Sequence, residues 1–407
     1  MLYPILQRTA GIDVHKKVIV VTLALTNEDG VVTEVTRTFG TFLHDYEQLA
    51  QWLAQSEIQL TVMESTGVYW KHLYEVLETY KVEMYVVNAR HVKKVPGRKT
   101  DVSDSQWLAT LARFGLLKAS FIPAQDLRQL RSIARYRTKL SATLASEKNR
   151  LHKLLDAAGV RLGSVVSDID GVAANKIING ILNGEPLAQL LSYAKGKLKH
   201  KVAAMQDALA VKMNERNLFL LRKIRDHIDY LKHELEQLDA YILTAMQPYQ
   251  TQWEILQTIP GVGPVSAAVL IIEMGVDMTR FGSEESLASW AAMCPGNNSS
   301  ADKQKSGKTR KGNQYLRRTL CETANAAIKT VGQFKDKYKT LTVRRGHKRS
   351  IIAIAHKILR VSYSLLKNNQ PYQDPGVDYK ELMVKRNAPR WVKALAEYGY
   401  LNTVQLA

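Results

Sequence analysis

The chain of 407 residues carries 57 Lys and Arg against 38 Asp and Glu, a formal net charge of +19, and 45% of its residues are hydrophobic. Such an excess of cations calls for a polyanionic partner, nucleic acid first, while the hydrophobic share can fill two or three domain cores at this length. No stretch approaches the ~18 apolar residues of a membrane span, residues 1–14 lack a signal-peptide core, and Cys294 and Cys321 are too few for a disulfide framework or a zinc ligand set, so a cytoplasmic protein with no membrane partner is expected.

Residues 11–25 contain an apolar, β-branched run, Asn27-Glu28-Asp29-Gly30 reads as a turn, and residues 31–39 alternate as a paired strand would. The spacing then predicts a helix over 43–55, a strand over 59–63, a helix over 69–80, a strand over 83–87 and a helix over 101–116. A strand hairpin followed by alternating strands and helices implies a mixed sheet flanked by helices. Asp13 then lies in the first strand and Glu64 just past the end of a later one, while Asp101 and Asp104, three residues apart, share a face in the first turn of a helix.

Two carboxylates about 4 Å apart repel by roughly 4 kcal/mol at an effective dielectric near 20. Gathering four of them therefore requires a cation. Oxygen-only ligation selects a hard ion such as Mg²⁺, which is held by a few carboxylates together with phosphate oxygens and water. The plainer alternative is ordinary surface acids, or for Asp101 a helix cap suited to the macrodipole.

Just before that helix, Arg90, Lys93, Lys94, Arg98 and Lys99 surround Pro96-Gly97 in a basic loop placed to hold a phosphate backbone. A helix follows over 126–158, with Arg128, Arg131 and Arg135 on one face as further candidates for a nucleic-acid backbone. Residues 160–196 are less periodic, with helical stretches around Ile177 and Leu187, and read as a helical subdomain or linker. Leu221, Ile224, Ile228, Leu231, Leu235, Leu238 and Ile242 then recur at alternating threes and fours, a coiled-coil seam able to join two protomers. An intrachain helical hairpin is the alternative.

Thr258 to Pro264 opens an apolar helix reaching about Met274, resembling a helix-hairpin-helix element whose backbone amides meet a phosphate. Another helix fits 286–292, and 294–300 is a turn-rich loop. Residues 303–349 hold fifteen Lys or Arg and two acids, Glu322 and Asp336, the chain's strongest polyanion footprint.

GID at Gly11 to Asp13, MESTG at Met63 to Gly67, KTDVSD at Lys99 to Asp104, IPGVGP at Ile259 to Pro264, and the PGNNSS, SGKTRKGN and LRR stretches between Pro295 and Arg318 carry a resemblance. In that order they resemble the DEDD transposases of bacterial insertion sequences, of the insertion-sequence-110 type, whose members act as bridge-RNA-guided recombinases. The resemblance covers nearly the whole chain and is least diagnostic at 160–196 and past Gln370. It implies an α/β RuvC-like, ribonuclease-H-type domain over 1–158 and a helical linker with a coiled-coil dimerisation segment over 159–250. A mainly helical transposase domain over 251–370, bearing a serine nucleophile, and a tail over 371–407 complete the implied order.

The family's four acids fall on Asp13, Glu64, Asp101 and Asp104 and its serine on Ser300, with Ser299 adjacent and Ser306 a third hydroxyl. Lys303, Lys305, Lys308, Arg310, Lys311, Arg317 and Arg318 are the expected phosphate contacts near that serine. The implied chemistry is a covalent serine–DNA intermediate at a Mg²⁺ site. Implied partners are double-stranded donor and target DNA and a structured noncoding guide RNA, and the implied assembly is a homodimer that pairs into a tetramer, with the RuvC-like domain of one protomer completing the site of another. Rival readings are a RuvC-like Holliday-junction nuclease using metal-activated water, which would not need Ser300, and a nucleic-acid-binding protein without catalysis. A sugar-kinase-like ATPase is a third, but the glycine-rich adenosine-binding element of that class is not evident in the sequence.

Overall fold

The computed structural model describes residues 4–65, 67–92, 95, 103–294, 299–300, 303–304, 309, 312–376 and 379–400, with the backbone alone at 90–91, 299–300, 303–304, 379–380 and 383. It divides into two compact units, Met1–Gln125 and Asp126–Ala407.

In the first unit β1 (Arg8–Val14) and β2 (Ile19–Thr26) form an antiparallel hairpin, closed where the His15 amide donates to the Val18 carbonyl at 3.0 Å. β3 (Val32–Phe39) returns along β2 after the Asn27–Gly30 turn, in which Gly30 takes φ +79° and the Asn27 side chain accepts from the Val31 amide at 2.7 Å. The run over 11–25 thus holds parts of two strands. No Gly, Pro, Asn or Asp marks the His15-Lys16-Lys17 turn, so the usual compositional sign of a break is missing there.

β4 (Leu60–Glu64) and β5 (Met84–Val87) add on the other side in parallel, giving the order β3-β2-β1-β4-β5 with only β2 reversed. That order and those directions make the ribonuclease-H-type mixed sheet. α1 (Leu43–Gln55) and α2 (Trp70–Thr79) cover one face, where Ile12, Ile19, Leu23, Leu49, Leu53, Leu73 and Leu77 pack together. α3 (Ala89–Val92) and α4 (Asp104–Arg113) cover the other, over Val62, Val87, Trp107, Leu108 and Leu111. α4 begins at Asp104, three residues later than the spacing predicts, because Ser103 and Gln106 form a capping box: the Gln106 amide donates to the Ser103 hydroxyl at 3.3 Å and the Ser103 amide to the Gln106 side chain at 3.0 Å.

In the second unit α5 (Gln125–Ala157) spans two cores. Its C-terminal half joins α6 (Leu162–Val165), α7 (Val172–Leu182), α8 (Leu187–Ser192), a 3₁₀ turn at Gly196–Lys201, α9 (Val202–Leu209) and α10 (Glu215–Thr244) around Leu151, Leu155, Ile177, Ile178 and Met205. Residues 160–196 are therefore a packed subdomain. The same core takes Leu221, Ile224 and Ile228 of α10, which are 0%, 4% and 0% exposed, while Leu231 is buried and Ile242 enters the other core. The seam expected to join two protomers is thus largely consumed inside one chain. Pairs of Arg137 with Asp239 and Glu147 with His227 tie α10 to α5, as an intrachain pairing would.

The second core gathers α11 (Gln250–Gln257), α12 (Pro264–Met274), α13 (Glu284–Trp290), α14 (Gln314–Ala327) and α15 (Gln333–Asn368), the last kinked at Gly346. A short ladder, β6 (Ser299–Ser300) with β7 (Lys303–Gln304), precedes α14, and α16 (Tyr379–Glu397) ends the described chain. α12 is buried from Ala267 to Met274, so it is apolar all round rather than amphipathic. Gly261, in the segment read as a helix-hairpin-helix element, has φ +85° and lies against α14, where a Cβ would come within 2.5 Å of the Thr323 carbonyl and the Ala327 amide. Among the described residues no helix is long and apolar enough to cross a membrane.

Candidate active site

The register of the sheet places the acids of the first unit. β1 and β4 run parallel with Gly11 opposite Val62 and Ile12 opposite Met63, so Asp13 and Glu64 follow at the next position on adjacent strands. Alternation along a strand puts Ala10, Ile12 and Met63 towards α1 and α2, and Thr9, Gly11, Leu60 and Val62 towards α4. Asp13 and Glu64 therefore share the α4 face at the carboxyl ends of their strands.

α4 runs opposite to β1. The Thr9 hydroxyl donates to the Ala109 carbonyl at 3.0 Å, while further along β1 a Cβ on Gly11 would lie 2.0 Å from the Ser105 carbonyl. The Thr22 and Ser105 hydroxyls, 2.8 Å apart, hold the same crossing. The first turn of α4, and with it Asp104, thus lies at the end of the sheet that bears Asp13 and Glu64. Gly11 is what allows this approach.

Asp13 also has a partner that the sequence did not single out: His15 Nε2 lies 2.9 Å from Asp13 Oδ2, with the aspartate side chain a quarter exposed. Asp101 lies outside the described residues, as do Lys93, Lys94, Arg98 and Lys99, and Arg90 falls on α3. No three described Asp, Glu, His or Cys side chains form a group able to hold a metal. Asp13, Glu64 and Asp104 offer carboxylate oxygens only, a donor chemistry that fits Mg²⁺.

The loop carrying the serines belongs to the second unit. Ser299 pairs with Gln304 and Ser300 with Lys303 in the β6–β7 ladder, while Lys305, Ser306, Lys308, Arg310 and Lys311 lie outside the described residues. The loop leaves and returns at one place: a Cβ on Gly312 would sit 2.4 Å from that of Ala292, and Arg317 donates to the Ala292 carbonyl. Arg317 thus clasps the base of the loop. Arg318 forms an ion pair with Glu322 at 2.9 Å.

Asn313 fixes the returning end. Its side-chain oxygen caps α14 by accepting from the amides of Tyr315 and Leu316, both at 3.1 Å, and its Nδ2 donates to Glu273 Oε2 at 2.6 Å. Glu273, fully buried at the end of α12, also receives Arg135 through Nε and Nη2 at 2.8 and 2.9 Å, and Arg131 at 3.1 Å. Burial, with Arg135 and Arg128 nearby, pushes the Arg131 guanidinium down to about 10 despite Glu273. Two of the three arginines expected on one face of α5 for nucleic acid are thus turned inward onto a carboxylate. Arg128 lies half-buried beside them. Sequence spacing found the face but not Glu273, whose place in an otherwise apolar run was the available signal.

A family model of DEDD transposases of the IS110 kind, described as "Transposase", matches residues 10–159, and one described as "Transposase IS116/IS110/IS902 family" matches 253–339. The chain is 23% identical over 334 residues to the transposase for insertion sequence element IS1111A of Coxiella burnetii, covering 80% of this chain and 82% of that one. It is 28% identical over 178 residues to the pilin gene-inverting protein of Moraxella bovis, covering 42% and 53% of the two chains. The solved structure of Thermus thermophilus RuvC aligns with 28% of this chain and 99% of its own at 13% identity and a TM-score of 0.22.

Proposed function

The chain belongs to the DEDD transposases of the IS110 type, and from that premise we propose that it cuts and rejoins DNA through Ser300, at a site completed by a metal on Asp13, Glu64, Asp101 and Asp104. The observation that carries this reading is the meeting of Asp13, Glu64 and the first turn of α4 at one end of the sheet. Asp13 and Glu64 stand at matching positions on neighbouring strands, and Asp104 opens the helix whose first turn lies at the same end, in a chain of net charge +19 where carboxylates are in the minority.

Mg²⁺ at these oxygens would neutralise charge developing on a reacting phosphate. The chain's own part is nucleophilic. The Ser300 oxygen bonds to phosphorus as the bond to the departing DNA oxygen breaks, the hydroxyl proton leaves and the departing oxygen gains one. The phosphoserine diester formed retains the bond needed for rejoining. His15 holds Asp13 in one orientation, and the Gly312–Asn313 anchor holds the base of the serine loop.

DNA sequence is chosen in this reading by pairing with a structured noncoding RNA, so the chain contacts backbone and A-form shape rather than base edges. The homodimer and tetramer remain part of it, acids of one protomer serving the serine of another. Leu221, Ile224 and Ile228 are buried within the chain, so a contact between protomers would not run through those three residues.

The test mixes the purified protein with RNA transcribed from the flanks of its gene, donor DNA and target DNA. A denaturant-resistant protein–DNA adduct and strand exchange are expected, both lost in Ser300→Ala and in Asp13→Ala and both dependent on the RNA. Continued cleavage by Ser300→Ala would instead indicate a nuclease using activated water, and exchange without RNA would remove the guided part.

A further inference from the structure

The helical body over residues 160–209 lies outside both family matches, the first ending at residue 159 and the second beginning at 253. It contains a cavity of about 390 Å³, within the ~300–1,000 Å³ usual for ligand pockets. Val165, Ala174 and Leu198, 5%, 1% and 8% exposed, give it an apolar floor, and Lys195, Lys197 and Lys201 line it from the 3₁₀ turn and the residue before it.

Two of the three lysines form no ion pair among the described residues. Lys201 Nζ donates to the Val165 carbonyl at 3.3 Å, which holds that side chain against the wall, whereas among the described residues Lys195 and Lys197 form no ion pair. Acids nearby are engaged elsewhere: Asp170 with Lys148 at 2.7 Å and Lys232 at 2.5 Å, and Glu185 with the Tyr193 hydroxyl at 2.8 Å. Asp168 lines the cavity but accepts from the Asp170 amide at 2.9 Å. The stretch Lys195-Gly196-Lys197-Leu198-Lys199-His200-Lys201 has no acid at all.

Paired lysines elsewhere in this subdomain act as structural ties; Lys195 and Lys197 do not. A bare phosphate would satisfy them and leave the apolar floor unused. A double helix presents phosphates while its bases stay stacked inside. An unpaired nucleotide has both an anionic and a flat, largely apolar part. We infer that this cavity binds an unpaired nucleotide of a nucleic-acid strand, the base over Val165, Ala174 and Leu198 and the flanking phosphates at Lys195 and Lys197. The site is independent of the strand-exchange chemistry proposed above.

The experiment uses the full chain and three labelled probes of one sequence: single-stranded RNA, single-stranded DNA and a blunt DNA duplex. The single strands carry one photoreactive thio-pyrimidine. Lys195→Ala/Lys197→Ala should weaken single-strand binding and lower the slope of log K against log salt by about 1.4, two contacts at ~0.7 each. Ala173→Phe, which fills the cavity without changing charge, should weaken single-strand binding several-fold and leave the duplex unaffected. Crosslinks should fall within residues 165–201 and vanish in Ala173→Phe, with Ala173→Leu used if the larger residue lowers the melting temperature. Loss with RNA alone identifies an RNA strand as the source, and equal loss with both single strands identifies any unpaired strand. Crosslinks only outside 165–201, or an Ala173 variant that binds single strands as the unmodified chain does, would overturn the inference.

Discussion

Gly11 tolerates no side chain because the Ser105 carbonyl and the Ala109 amide would lie 2.0 and 2.5 Å from a Cβ. Both are backbone atoms of α4 and cannot swing aside. Gly11→Ala is therefore expected to destabilise the first unit by more than the ~1–3 kcal/mol of ordinary overpacking, seen as a lower melting temperature, and to displace Asp104 from Asp13. Asn313 separates two roles that a single alanine substitution would confuse. Asn313→Ser keeps a helix-capping hydroxyl but is too short to reach Glu273, so α14 should remain capped while the base of the serine loop loses its tie. The expected result is an unchanged circular-dichroism spectrum and DNA affinity, with adduct formation at saturating DNA slowed at least tenfold. An unchanged rate would leave Glu273 a purely structural group.

At the scale of elements, α10 shows why heptad spacing alone misleads. A row of Leu and Ile every three or four residues states that one face is apolar, not whether another helix of the same chain or of a second chain covers it. Here the chain's own α5 and α7 supply the cover. Ile228→Ala should thus cost about 2–5 kcal/mol, with a fall in melting temperature that is independent of protein concentration. Asp170 lies at the same junction. Burial alone would raise its carboxyl, but hydrogen bonds from Lys148 and Lys232 outweigh that and hold it below its ordinary value of 3.8. Since the unfolded chain then binds the proton more readily, this contribution is present above pH 3.8 and lost as pH falls through the lower folded value. Asp170→Asn should remove that part of the acid-unfolding curve.

The sheet was legible because β-branched runs, an Asn-Glu-Asp-Gly turn and 3.6-residue periodicity all agree over residues 19–87. The β1–β2 turn was not, since His15-Lys16-Lys17 carries no turn chemistry, and neither was the start of α4, where the Ser103–Gln106 capping box outweighed acids placed as plausible first-turn residues. The placement of Asp13 and Glu64 followed from strand ends. Their common face depended on a register that no single strand encodes.

For the whole molecule the question is where a charge of +19 acts. Arginine is the better residue for a buried fork-shaped contact with carboxylate, whereas a solvated lysine remains available as a point charge. Four arginines and two lysines illustrate that division, although Lys148 and Lys232 tie the buried Asp170. Arg131 and Arg135 close on Glu273, Arg137 on Asp239 and Arg360 on Glu284, all inside the second unit, while among the described residues the exposed Lys195 and Lys197 form no ion pair. Two variants that both remove positive charge, one charge in the first and two in the second, should therefore give opposite readouts. Arg135→Gln leaves Glu273 buried with less compensation, a loss of about 3–5 kcal/mol when one partner of a buried pair is removed; it should lower the melting temperature and leave the salt slope of nucleic-acid binding unchanged. Lys195→Ala/Lys197→Ala should leave the melting temperature unchanged and lower the slope by about 1.4. If Arg135→Gln instead reduced the slope without destabilising the fold, the Glu273 contact would be a resting arrangement that nucleic acid displaces, and the arginine face of α5 would belong to the substrate-binding surface.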